Sequence, residues 1–176
     1  MKYIYSLLIV ILFFACQDDS KKSDAIRYYD FSIQDVIANE IKAMHSVDDS
    51  FVKVVLYKNS KIEKRNIAGT DLISDLESFQ EFDLNKAAWQ NSYVKSRTDN
   101  HTRYLSKEAK LTMKYIDIFG DEKNPTRVQI YFQNTNNLYE SSKFIVIEPG
   151  KFYSIFSLQD VKGMSADTLF IKTFLN

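Results

Sequence analysis

The sequence predicts an α+β fold, with N-terminal helices packed on a long, curved, mostly antiparallel sheet that runs as a half-barrel-like meander. Three observations carry that expectation. Both helix-period patterns fall before residue 90, whereas from Asn91 onward short apolar runs alternate with turn-forming clusters. No helical pattern separates those later runs, so strands follow one another directly and pair antiparallel. Apolar residues make up 45% and aromatics 14%, against only 4 Gly and 2 Pro, which supplies a core and leaves little for linkers. A chain of 176 residues without a compositional break is one domain.

In SIQDVIANEIKAMHSV, Ile33, Val36, Ile37, Ile41 and Met44 recur at helical spacing, and Ser32 with Asp35 forms a capping-box-like start. FVKVVLY then alternates Val52, Val54 and Leu56 with Phe51, Lys53, Val55 and Tyr57, and Asn59-Ser60 reads as a hairpin turn. The returning KIEKRNI is mostly polar, as in an edge strand blunted by charge. Past Gly69, Thr70 or Asp71 caps a second helix with Leu72, Ile73, Leu76 and Phe79 on one face, and DLNKAAWQ reads as a short helical turn seating Trp89. Seven strands are expected after it, over 93–97, 102–105, 111–119, 127–133, 138–147, 152–158 and 169–174. The clearest is RVQIYFQ, with Val128, Ile130 and Phe132 on one face and Arg127, Gln129, Tyr131 and Gln133 on the other. GDEKNP, NTNN and EPGK are turns.

The amino terminus reads as an address. Met1-Lys2 is followed by YIYSLLIVILFFA, an apolar run of 13 residues, which suits a signal-peptide core and falls short of the ~20 residues a spanning helix needs. Ala15-Cys16 resembles the end of a bacterial lipobox, with Phe13 where the familiar pattern has Leu. The resemblance implies cleavage before Cys16, a diacylglyceryl thioether on its sulfur and acylation, for instance by palmitate, of the new amino group. The divisions are then signal peptide 1–15, lipidated tether 16–29 and a single α+β domain 30–176. Gln17-Asp18-Asp19 is similar to the acidic export signal of surface lipoproteins in the phylum Bacteroidota. The implied location is the outer membrane, lipid-anchored, with the domain facing either the periplasm or the cell surface.

Catalytic signatures are missing. Lys plus Arg and Asp plus Glu both number 23, so net charge attracts no nucleic acid. The lone cysteine is the lipid-bearing one, and neither a GxSxG turn nor a phosphate-cradling glycine loop occurs. His45 reads as a helix-end imidazole and His101, in the polar TDNHTR stretch, as a solvated one, with Asp99-x-His101 too common a spacing to count. Asp117, Asp121 and Glu122 straddle a turn without calcium-loop spacing. No catalytic residue, metal site or cofactor is expected.

Aromatic residues are the remaining feature: Trp89 and Tyr93 flank a polar turn, and Phe144, Phe152, Phe156, Phe170 and Phe174 populate the late strands. They read either as ordinary strand core, which aromatic enrichment in strands favours, or as an apolar pocket or protein-binding face. Asp167-Thr168-Leu169 resembles the Bacteroidota O-glycosylation pattern, which makes Thr168 a candidate glycan acceptor. YYDFSIQDVIANEI, DLESFQEFDLNKAAW and KFYSIF together resemble a family of small Bacteroidota outer-membrane lipoproteins without established activity. The expected role is noncatalytic: a lipoprotein holding an apolar ligand or lipid on its curved sheet, or else an accessory interaction module for an envelope protein partner.

Overall fold

The computed structural model describes residues 27–44, 49–58 and 61–175. Cys16, Gln17, Asp18, Asp19, His45 and the Asn59-Ser60 turn lie outside the described residues. Among the described residues two helices, α1 (Ile33–Ala43) and α2 (Gly69–Glu77), accompany nine strands: β1 (Ser50–Tyr57), β2 (Ile62–Ala68), β3 (Tyr93–Thr98), β4 (His101–Ser106), β5 (Met113–Gly120), β6 (Pro125–Thr135), β7 (Tyr139–Glu148), β8 (Phe152–Val161) and β9 (Asp167–Phe174). All strands join one antiparallel sheet in the order β2-β1-β9-β8-β7-β6-β5-β4-β3. The sheet is open, with β2 and β3 at its edges, and is not closed into a barrel. Nor do the helices form an N-terminal block: the β1–β2 hairpin lies between them in sequence and returns to pair with the last strand, β9. The molecule is mostly sheet.

The register lines one residue per strand into rows that cross the whole sheet. One row runs Glu63, Val55, Ile171, Ile155, Ile145, Ile130, Ile116, Tyr104, Lys95, and the next runs Arg65, Lys53, Thr173, Tyr153, Ile147, Val128, Ile118, Thr102, Arg97. Their central members are buried, Ile116, Ile118, Val128, Ile130, Ile145 and Ile147 completely, while charge is confined toward the rims. This is the core face. Burying those aliphatic rows is the main driving force for the fold, at about 25 cal/mol per Å² of apolar surface.

The helical layer covers that face. Ser32 Oγ accepts the Asp35 N–H at 3.3 Å and starts α1, as its sequence predicts. Helix α2 has no side-chain cap: strand β2 runs through Ala68 directly into it, so neither Thr70 nor Asp71 occupies the capping position. Leu72 and Leu76 of α2 and Phe79 and Phe82 of the following 3-10 turn (Ser78–Phe82) are buried against α1 and the sheet. A second 3-10 turn, Ala87–Trp89, sets Trp89 half-buried against Tyr93. Asn85 fastens the chain's entry into the domain, accepting the N–H groups of Tyr28 and Tyr29 at 2.9 Å each and donating to the Phe31 carbonyl at 2.8 Å. Tyr28 and Tyr29, at the end of the expected tether, are therefore held by the folded body.

Candidate functional site

The face opposite the helices carries a row that globular sheets do not normally leave uncovered, and among the described residues no helix or second sheet packs over it. Ile62, Leu56, Phe170, Phe156, Phe144, Tyr131, Tyr115, Leu105 and Val94 stand side by side, one from each of the nine strands. None belongs to the buried core, and Ile62, Leu56, Phe156, Leu105 and Val94 are exposed. At about 4.8 Å per strand spacing the row is about 38 Å long. Phe170, Phe144, Tyr131 and Tyr115 between them are half-buried, and an apolar row with exposed members along that length marks an interaction surface in soluble proteins.

Its chemistry is aliphatic and aromatic throughout, with polar neighbours. The Tyr115 and Tyr131 rings stack on one another, centroids 5.4 Å apart and planes at 29°. Beside the row, Asp117 is buried in a closed knot: Arg103 donates to both its carboxylate oxygens at 2.6 Å and His101 Nε2 lies 2.8 Å from Oδ1. Burial opposes ionisation of Asp117, but the hydrogen bonds from Arg103 and His101 outweigh it and hold the carboxyl below its ordinary value. The Arg103 guanidinium also lies 4.7 Å over the Tyr115 ring. His101 is thus not a solvated loop residue; it opens β4 and stacks on Phe119. Strand pairing brought it to Asp117 instead of Asp99.

Two further polar knots brace the helix-facing side. The Asp75 carboxylate on α2 receives the Lys53 ammonium and the Tyr153 hydroxyl. Glu122, in the β5–β6 turn, accepts the Tyr104 hydroxyl at 2.6 Å and pairs with Lys95 at 2.8 Å. Burial disfavours charge on Lys95, yet Asp30 and Glu122 hold its ammonium above the ordinary range. Among the described residues no group of three or more His, Cys, Asp or Glu side chains could hold a metal ion, and no helix is long and apolar enough to cross a membrane.

A cleft of about 420 Å³ opens at one corner of the helical layer, lined by Glu40, Met44, Phe51, Leu72, Leu76 and Leu175. That volume is at the lower end of small-ligand sites, about 300–1,000 Å³. Glu40, Asp49 and Ser50 are its polar groups. Burial pushes the Glu40 carboxyl up, although it accepts the Gly150 N–H at 2.9 Å. Gly150 makes this possible by turning at φ 69°, a conformation costly for other residues.

The aromatics singled out in the sequence separate cleanly. Tyr93 is core, Trp89 packs against it, and Phe144, Phe152, Phe156, Phe170 and Phe174 all lie on the uncovered face. They are not ordinary strand core. Thr168 lies half-buried in β9, paired with Leu158, on the same face. The knots of Asp117, Glu122 and Asp75 escaped the sequence because each joins residues more than a dozen positions apart. Compared with known proteins, the chain matches no family model, no curated protein and no solved structure.

Proposed function

We propose that the protein is a noncatalytic interaction module of the cell envelope, held to the outer membrane by lipid on Cys16 and working through the uncovered face of its sheet. The nine-residue apolar row carries this reading, because exposing it to water is unfavourable unless a partner covers it. The noncatalytic part is supported by the polar clusters, whose charges are spent on one another within the fold. The location rests on Met1–Cys16 and the resemblance to Bacteroidota lipoproteins. The test is native electrophoresis of gently solubilised membranes, comparing the unaltered chain with Phe156→Glu. The unaltered chain is expected in a larger assembly and the variant as a free protomer; an unaltered chain that migrates free would sink the reading.

A second reading, a carrier for a small apolar ligand, is favoured by the cleft beside Glu40. It needs the finer form expected of the sheet, curved as a half-barrel around the helices. Titration with a fluorescent fatty acid tests it, and a Leu72→Trp variant that fills the cleft is expected to abolish binding.

A further inference from the structure

We infer that the partner seated on the uncovered face is a second copy of this chain, the two sheets packing row against row as a twofold sandwich. This rests on the interaction-module reading and names its occupant.

Four features of the face favour a like sheet. The first is extent. A row about 38 Å long, with one flanking row on each side, offers a patch about 20 Å wide and roughly 750 Å² in area. A standard stable interface takes about 800 Å² per partner.

The second feature is shape. Neighbouring strands rotate by about 20–25°, which accumulates to about 160–200° over the eight pairings of this sheet. A flat membrane surface could meet only part of such a row. Another sheet of the same hand follows it, packing at about −30° across about 10 Å.

Third, the row is self-complementary. It contains no charged residue, so two copies facing each other across a twofold axis juxtapose Phe144, Phe156 and Phe170 without bringing like charges together. The nearest charges in the adjoining row are Lys64 and Lys172 at one end and the neutralised Asp117–Arg103 pair at the other.

Fourth, edge-to-edge association is obstructed. Edge strand β2 carries Glu63, Lys64 and Arg65, and edge strand β3 carries Lys95 and Arg97. Charged edges block strand addition, whereas on the face the charges of Lys64, Lys172, Arg103 and Asp117 stand beside the apolar row and leave the row itself uncharged.

The decisive experiment places a photoreactive benzophenone analogue of phenylalanine at position 156 of the full chain and irradiates native membranes. The expected product has twice the chain mass, with peptide links from position 156 to β7, β8 or β9 of another copy. Links solely to a different protein would overturn the second-copy assignment and leave the interaction-module reading standing. Links to lipid alone, or none, would overturn both. A parallel measurement removes dependence on one site: with the probe at Leu105, Phe144→Glu combined with Phe156→Glu is expected to cut the doubled product at least tenfold while the circular dichroism spectrum stays that of the parent. Retention of that product in a folded double variant would overturn the proposal.

Discussion

The Tyr153 hydroxyl of β8 donates to the Asp75 carboxylate of α2, which also receives Lys53 from β1. Three elements distant in sequence meet at one oxygen. Lys53 and Tyr153 both flank Thr173 in the register, so the contact lies across β1, β9 and β8 and pins the helix over the joint between the amino-terminal hairpin and the last strands. Burial and the Asp75 charge together push the Tyr153 hydroxyl above its ordinary range.

Asp75→Ala is therefore expected to destabilise the protein by about 3 kcal/mol, because it strands an ammonium whose side chain is only 12% exposed and a fully buried hydroxyl. Asp75→Asn keeps an acceptor and is expected to cost less. Urea unfolding of the two variants measures both. Equal stability for parent and Asp75→Ala would show that the contact contributes nothing.

Asp117 supplies an acid limit. Its carboxyl is held below the ordinary 3.8, so the stability it contributes is present in full above that value and is lost as pH falls through the lower, folded one. Asp117→Asn, which leaves Arg103 and His101 without their anion, is expected to cost about 2 kcal/mol at neutral pH. The parent and variant stability curves should converge below about pH 3.8. A gap that persists undiminished well below that pH would refute the assignment.

Much of this fold is legible in the sequence because one-sided strands announce themselves. RVQIYFQ alternates and lands as read, with Val128 and Ile130 buried and Arg127 exposed. KIEKRNI is an edge strand for the reason its charges suggest. The late strands defeat the same logic: in KFIVIE, Phe144 and Val146 face one way and Ile145 and Ile147 the other, so apolar residues run continuously and the period of two vanishes. Continuous apolar runs are what doubly covered strands look like. Here the described fold covers one side. The uncovered row was illegible for a different reason: it exists only through the register of eight pairings, and its members sit up to 114 positions apart, from Leu56 to Phe170. The cleft is equally non-local, since Gly150 reaches Glu40 from across the chain.

Glu40 runs opposite to Asp117. Burial raises its carboxyl above the ordinary 4.5, so its contribution is favourable below that value and is lost as pH rises through the folded value. At neutral pH the ionised group costs stability. Glu40→Gln retains an acceptor for the Gly150 N–H and removes the charge; it is expected to leave thermal stability at pH 7 unchanged or raised, by no more than about 1 kcal/mol. The parent should gain on the variant as pH is lowered from neutral through the raised folded value, and the gain should be complete by about 4.5. A clear loss at pH 7 would mean that the carboxylate is used by a charged neighbour.

The lipid proposed on Cys16 and the uncovered row make a joint prediction. From Cys16 to Arg27 the chain can span at most about 40 Å when extended, so anchored copies remain confined to a thin layer above one membrane. Confinement raises the effective concentration of one row for another, as a short linker does for tethered modules. Cys16→Ala is expected to move the protein to the soluble fraction and, at equal expression, to reduce the doubled photoproduct from position 156 several-fold. The loss should be recovered when the soluble variant is concentrated, because the face itself is untouched. Membrane retention of Cys16→Ala would remove the anchor, and a photoproduct yield indifferent to both anchoring and concentration would mean that the copies do not meet by diffusion over the membrane.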